Sequence, residues 1–325
     1  MAHRPNSPVT IRSMTEGDAD AVRQVERAAF AARWKPEQSA HAERPPRTRA
    51  NVLIRLRKDP DGCFVAQVGS EMVGIVFSRT WGSVGWCGSL AVHPDWQGQG
   101  SGWQLLHASL AYLRADPRRV VGLETGAGEA RNVGLYLRAG LVPCPITLHL
   151  ARELGGDAEP ATLPLWSAAR AEVRSQWLEG LREASGTVIP GLDYGKEIES
   201  ARREALGDTC VALEGGRAVG FGVATVVSPF EGWGAEAAIV QALLLDQRYV
   251  SEARLSGLLA GVEAIARRAG CRRLQLVVSA GRRWTVDRLL RRGYRLERVG
   301  LQMIHGDGPA LTFDPDGVDC SRWAG

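Results

Sequence analysis

Leu90-Ala91-Val92-His93-Pro94-Asp95-Trp96-Gln97-Gly98-Gln99-Gly100-Ser101-Gly102 begins as a strand, turns at Pro94 and runs glycine-rich into an amphipathic helix. A strand that delivers glycines to a helix N-terminus builds a site for an anion, usually phosphate. The glycines let the backbone come close. The first helical N–H groups point at the ligand, with the positive end of the helix dipole behind them.

The spacing selects the kind of loop. A Walker loop needs a Gly-Lys-Ser/Thr ending, which is missing, and a G-x-G-x-x-G fingerprint from Gly98 needs glycine where Trp103 stands. The run fits Gln97-x-x-Gly100-x-Gly102 after a strand in which Leu90, Val92 and Pro94 hold the pattern Leu-x-Val-x-Pro. A second motif follows the strand Val120-Val121-Gly122-Leu123-Glu124-Thr125. It is the helix Asn132-Val133-Gly134-Leu135-Tyr136-Leu137-Arg138-Ala139-Gly140-Leu141, with Leu135 and Tyr136 shortly before Gly140-Leu141. The two motifs in this order resemble the GCN5-related N-acetyltransferases (GNAT superfamily). Those proteins place an Asn seven residues before the Tyr; here Glu129 holds that position and Asn132 lies four before.

The chain is also a repeat. Shifted by 153, Leu90-Ala91-Val92-His93 falls on Leu243-Leu244-Leu245-Asp246, Leu105-Leu106 on Leu258-Leu259, and Gly140-Leu141 on Gly293-Tyr294. Upstream, the hairpin Val65 to Gly74 matches Val211 to Gly220 at a shift of 146, so the second half holds about seven extra residues. Ser228-Pro229-Phe230-Glu231-Gly232-Trp233-Gly234 reads as that inserted loop. The second copy loses the loop chemistry. Gln97, Gly98, Gly100 and Gly102 become Val250, Ser251, Ala253 and Leu255, and Tyr136 becomes Leu289. The expected fold class is α/β (α+β), with two tandem GNAT-like domains, each a mixed, mostly antiparallel sheet flanked by helices. A working domain at 1–155 and a degenerate one at 161–325 meet at the linker Gly155 to Pro160. Helices are expected from the cap Thr15/Asp18 to about Ala32, from Ala50 to Lys58, from Gly102 to Arg114 and from Pro164 to Ala184. The tail from Gly306 shows no periodicity.

Composition sets bounds. The 325 residues carry a net charge of +4, too mild to argue for nucleic acid. The excess lies in residues 1–155, with 19 Lys/Arg against 14 Asp/Glu. Part of it is the run Arg44, Arg47, Arg49, Arg55, Arg57 and Lys58, which reads as a solvated face or as a contact for CoA phosphates or an acidic acceptor. No stretch is long and apolar enough to span a membrane. Six scattered cysteines and six histidines show no metal spacing, and the thiols read as reduced and mostly buried in a cytoplasmic protein.

The resemblance implies acetyl transfer from acetyl-CoA, without a metal, to a primary amine of a small molecule or peptide. The donor is then held by Leu90, Ala91, Val92, Gln97, Gly98, Gln99, Gly100, Ser101, Gly102, Asn132 and Tyr136. Tyr136 is the implied acid for the leaving thiolate, and a backbone N–H on Leu90 to Val92 is expected to meet the oxyanion. An amine of pKa about 10.4 is almost wholly protonated at neutral pH, so a base is required. Gly85-Trp86-Cys87-Gly88-Ser89 offers no carboxylate, and Glu124 on the next strand is the nearest candidate, acting through a water. His93 reads as a turn residue. Trp81, Trp86, Trp96 and Trp103 read as core or as acceptor walls. Two other readings stay open: a CoA-binding sensor or scaffold without turnover, and a transferase for a longer acyl-CoA. No nucleic-acid or membrane partner is expected, and the chain should act as a monomer or weak dimer.

Overall fold

A computed structural model describes residues 8–31, 45–155, 162–232 and 237–324. The first half runs β1 (Thr10–Ser13), α1 (Ala19–Ala31), α2 (Arg49–Lys58), β2 (Cys63–Val68), β3 (Glu71–Trp81), β4 (Val84–Val92), α3 (Ser101–Leu113), β5 (Val120–Gly126), α4 (Ala130–Arg138), β6 (Leu141–Pro143) and β7 (Thr147–Glu153). The second runs α5 (Ala171–Val188), α6 (Gly195–Arg203), β8 (Gly207–Glu214), β9 (Arg217–Thr225), β10 (Ala237–Leu245), α7 (Glu252–Arg268), β11 (Arg273–Ser279), α8 (Arg283–Arg291), β12 (Arg295–His305) and β13 (Asp319–Ser321). The strands β4, β5 and helix α4 recur as β10, β11 and α8 at a constant offset of 153 residues.

Local chemistry explains most of these elements. From Val73 to Trp81, β3 is buried on both faces, as befits a central apolar strand. Helix α1 covers one face of the sheet with Val22 and Val25, and α3 covers the other with Leu105, Leu106, Leu110 and Leu113. Gly69 turns the β2–β3 hairpin at φ 58°, a conformation in which a Cβ is strained. Of the basic run, Arg47 and Arg55 are buried, and Lys58 is bonded to Glu197 at 2.6 Å. These groups are therefore not a solvated face. Arg44 and most of the linker, Gly156 to Pro160, lie outside the described residues.

Helix α5 begins at Ala171, seven residues after Pro164. Pro164 to Trp166 instead bridge to β8, with the Trp166 backbone N–H donating to Thr209 at 2.8 Å and Val211 to Pro164 at 3.0 Å, and a turn over 166–168 leads into the helix. Trp166 is then buried against Trp177, with ring centroids 6.2 Å apart. The tail is not loose either. Val318, Cys320 and Trp323 are buried, and β13 pairs antiparallel with Ala242–Leu244 of β10.

The strands form one mixed sheet in the order β1-β2-β3-β4-β5-β12-β7-β11-β10-β9-β8. The linker divides the chain near residue 155, but the sheet does not divide there. Strand β7 of the first half pairs with β11 of the second, and β12 of the second half pairs with β5 of the first. The first half thus gives its last strand to the second, and the second gives β12 to the first. A shared apolar core follows, in which Trp81, Trp86 and Val120 pack with Trp177, Phe221 and Trp323. Beside it Glu197 on α6 accepts hydrogen bonds from Lys58, Arg79 and Trp81 of the first half. Burial would raise the Glu197 carboxyl, but Arg79 and Lys58 hold it down at about 2.

The exchange leads to a test. Residues 1–155 expressed alone lose the partner of β5 and leave β7 without a sheet. Light scattering after gel filtration should find the fragment aggregated or associated, against a monomeric full chain. A compact, monomeric fragment with native-like thermal cooperativity would contradict the exchanged pairing.

Candidate active site

Helix α3 starts at Gly100, which has φ 89° and offers no side-chain cap. The first backbone donor taken up inside the helix is that of Gln104, to Gly100. The donors of Ser101, Gly102 and Trp103 are thus left for a ligand. Gly98 and Gly100 both need left-handed backbone, at φ 81° and 89°. Gly102 does not; a Cβ there would make ordinary contact with Val92 at 3.6 Å. Nothing in the protein demands glycine at 102, which fits a ligand passing close over the helix end.

These residues border a cleft of about 690 Å3, lined among others by Leu90, Ala91, Val92, Gln97, Asn132 and Tyr136. Gly98, Gly100 and Gly102 line it as well, and Trp103 stands at its edge. Gln99 and Ser101 do not: the Gln99 amide turns back to Asp95 at 3.2 Å, and Ser101 points into the core, 1% exposed. The Gln97 side chain braces the loop, donating to the Val92 carbonyl at 3.0 Å and accepting from Arg131 at 3.2 Å. Positive charge reaches this cleft from Arg131 and Arg138 of α4, and among the described residues not from 45–58. His93 accepts from the Asp95 N–H and shapes the turn. Trp81, Trp86 and Trp96 are buried, and among the four tryptophans only Trp103 borders a cleft.

Strands β4 and β5 pair in parallel only from Val84 to Cys87 and from Val120 to Leu123. Beyond that point β4 bulges opposite Phe77 at Gly88-Ser89, and the two strands diverge. The opening leads into a second cleft of about 500 Å3, and Leu90, Asn132 and Tyr136 line both. Tyr136 is 8% exposed.

The second cleft is built by both halves. Glu124 on β5 is bonded to His149 on β7 at 2.7 Å, and to the Thr147 hydroxyl at 2.9 Å. Gly300 on β12 leaves the room that Glu124 fills, since a Cβ there would lie 2.6 Å from the carboxyl carbon. Arg298 on β12 brings one guanidinium nitrogen to 3.1 and 3.2 Å from the two ring nitrogens of His149. Arg322 follows β13, and Phe230 comes from the long β9–β10 connection. That connection is the inserted loop expected from the sequence; its Trp233 and Gly234 lie outside the described residues. It is docked on the first half by Thr48 N–H to Pro229 at 2.8 Å and by Arg47 over the Phe230 ring at 5.3 Å. Glu26 is held by two bonds from Arg47, both 2.7 Å.

Sequence reasoning singled out Glu124 but missed His149, Gly300, Arg298 and Arg322. The alternation Thr147-Leu148-His149-Leu150 was the one local signal, a polar face on an apolar strand.

Burial alone would raise the Glu124 carboxyl. Hydrogen bonds from His149 and Thr147 and the charge of Arg298 outweigh it and hold the group below the usual carboxylate range. Burial lowers the His149 imidazole, Glu124 opposes this, and Arg298 and Arg322 add to it, leaving it below its ordinary range. Glu124 is therefore ionised and His149 neutral at pH 7. An ionised carboxylate only accepts, so Nε2 carries the imidazole proton and Nδ1 faces the Arg298 donor.

At the second copy of the loop the same scaffold is closed. Helix α7 is capped by Ser251, whose side chain accepts from the Arg254 N–H at 3.3 Å. β10 and β11 also diverge after Ile239 and Gln275, but β13 lies in the gap along Ala242–Leu244.

The charge arrangement predicts the titration of His149. By NMR its midpoint should lie below the usual imidazole value, rise in Arg298→Gln and fall in Glu124→Gln. A midpoint at the usual value that neither substitution moves would contradict the geometry.

Comparison with known proteins places the first half. The acetyltransferase (GNAT) family profile matches residues 20–141. A mycothiol acetyltransferase of Cellulomonas flavigena is 33% identical over 42% of this chain, and the match spans only 43% of that protein's length. The whole fold is similar to a candidate acetyltransferase from Pyrococcus horikoshii (TM-score 0.66, 17% identity, covering 100% of this chain and 99% of that one). It is also similar to a tandem GNAT protein from the clavulanic acid biosynthesis pathway (TM-score 0.59, 16% identity, 93% and 100% covered). Residues 20–141 thus match the acetyltransferase (GNAT) family, and the fold of the whole chain is similar to that of a tandem GNAT protein.

Proposed function

We propose that this chain is an N-acetyltransferase that moves the acetyl group of acetyl-CoA to a primary amine of a small molecule or peptide. The observation that carries the reading is the junction of the two clefts. One cleft offers free helix-end donors, the other an ionised carboxylate, and Tyr136 lines both. The family of residues 20–141 and the acetyl transfer named for the Cellulomonas relative agree with it.

In this reading the α3 N-terminus and the loop from Gln97 to Gly102 hold the donor's pyrophosphate, and Arg131 and Arg138 add positive charge. The unpaired backbone of Leu90, Ala91 and Val92 faces the thioester arm and offers an N–H to the oxyanion. Asn132 lies beside the reacting end. Glu124 takes the amine proton through a water, and His149, Thr147 and Gly300 position it. The Tyr136 hydroxyl protonates the departing thiolate. The second half holds no donor, because Ser251 satisfies its helix end and β13 fills its strand gap. It serves as the internal partner that completes the acceptor cleft, so the chain works as a monomer.

The test is Tyr136→Phe, which keeps the ring and removes the hydroxyl. With an acceptor, or with the slow hydrolysis of acetyl-CoA, kcat should fall about a hundredfold to ten-thousandfold. Acetyl-CoA affinity should change little. Parent turnover where chemistry limits the rate would make Tyr136 a packing residue and favour a sensor without turnover. An equal fall in affinity would make the hydroxyl a donor ligand instead of an acid.

A further inference from the structure

The acceptor cleft carries one more positive charge than its own carboxylates answer. Glu26 is paired with Arg47 at 2.7 Å, and the ionised Glu124, bonded to the neutral His149 at 2.7 Å, offsets only one of Arg298 and Arg322. Arg298 touches only the neutral imidazole of His149 among the described residues. The Arg322 guanidinium, also lining the cleft, has no hydrogen bond or ion pair among the described residues. Burial and the like charges of Arg298 and Arg47, opposed in part by Glu124, pull Arg322 down to about 10, still a cation at neutral pH. A guanidinium kept in a cleft beside two others costs free energy unless an anion joins it. Its planar fork suits the two oxygens of a carboxylate or phosphate.

We propose that the acceptor is an amine bearing an anionic group, a carboxylate or a phosphate, which Arg298 and Arg322 of the second half bind. This rests on the acetyl-transfer reading above and names its substrate class. The geometry also limits the size. Arg298 and Glu124 lie 3.2 and 2.7 Å from the same His149 nitrogen, so the anion site and the base are only a few bonds apart. An amino acid or a phosphorylated short amine spans that separation. A polyamine or an aminoglycoside, which has no anion to offer, meets like charge there.

The experiment has two arms on the full chain. In the first, acetyl-CoA consumption is measured with amino acids against their decarboxylated amines, and with phosphoethanolamine against ethanolamine. The parent should favour the anionic member of a pair. In Arg322→Gln and Arg298→Gln, kcat/KM for that member should fall about tenfold to a hundredfold through KM, as for lost hydrogen bonds to a charged group. In Arg322→Gln the neutral member should change less than about threefold, and Arg322→Lys should recover part of the loss; Arg298→Gln, which also moves His149, is judged by anion binding in the second arm. Which pair shows the preference separates carboxylate from phosphate. In the second arm, succinate and inorganic phosphate are titrated calorimetrically into the CoA-saturated protein and both Gln variants, with unchanged acetyl-CoA affinity as the folding control. Anion binding that the Gln variants lose upholds the inference even if no amine is acetylated, in which case the transferase reading alone fails. Acetylation of neutral amines with no anion preference, and no Arg-dependent anion binding, would overturn the inference and leave the transferase reading standing.

Discussion

Strand β5 has one edge on β4 and needs a partner on the other, and that partner comes from the far end of the chain. The antiparallel ladder from Gly122 to Gly126 against Gly300 to Ile304 is the pairing on which the rest of the site depends. It sets Gly300 against Glu124 and brings Arg298 to the cleft. The pairing of β12 with β7, which sets Gly300 opposite Thr147 and Arg298 opposite His149, brings Thr147 and His149 beside the same carboxylate. Because the ladder fixes register to the residue, a one-residue slip of β12 would turn Gly300 away and place a side chain against Glu124. The second cleft is therefore a product of the sheet as a whole, whereas the glycine loop is local to one strand and one helix.

The two halves show what separates a retained scaffold from a retained site. Both keep the divergence of two parallel strands and a helix behind it. In the first half the helix end is left open by Gly100. In the second, a serine hydroxyl satisfies it, and three residues of the tail fill the gap. Satisfied backbone groups and a filled gap are what a stable fold favours, so the open arrangement of the first half is the one that asks for a ligand. The tail acts in both places, closing the gap with Asp319–Ser321 and placing Arg322 in the second cleft.

Chemistry that is local in sequence was legible. The glycine loop, the helix after it, the hairpin at Gly69 and the repeat offset of 153 residues could be read directly, because glycine conformation and apolar spacing act over a few residues. The degraded loop at Val250 to Leu255 was readable for the same reason. The strand exchange was not, because a sequence repeat does not say which copy a strand pairs with. The bridge of Pro164–Trp166 to β8, and the turn that follows it, displaced a helix that propensity alone extends to Pro164. His149, Arg298 and Arg322 lie far apart in the chain and meet only through the sheet. Arg47 and Lys58 of the basic run are not solvated, because their ion partners, Glu26 and Glu197, lie in other elements, whereas Arg49 and Arg57 are exposed as a solvated face would be.

The account turns on one open helix end and one closed one. Calorimetric titration of the full chain with acetyl-CoA tests this most directly. It should give one site per chain, weakened severely by Gly100→Val, which forces a branched side chain into left-handed backbone, and left intact by Ala253→Val in the second half. Two equal sites per chain, or binding that survives Gly100→Val and is lost in Ala253→Val, would contradict it.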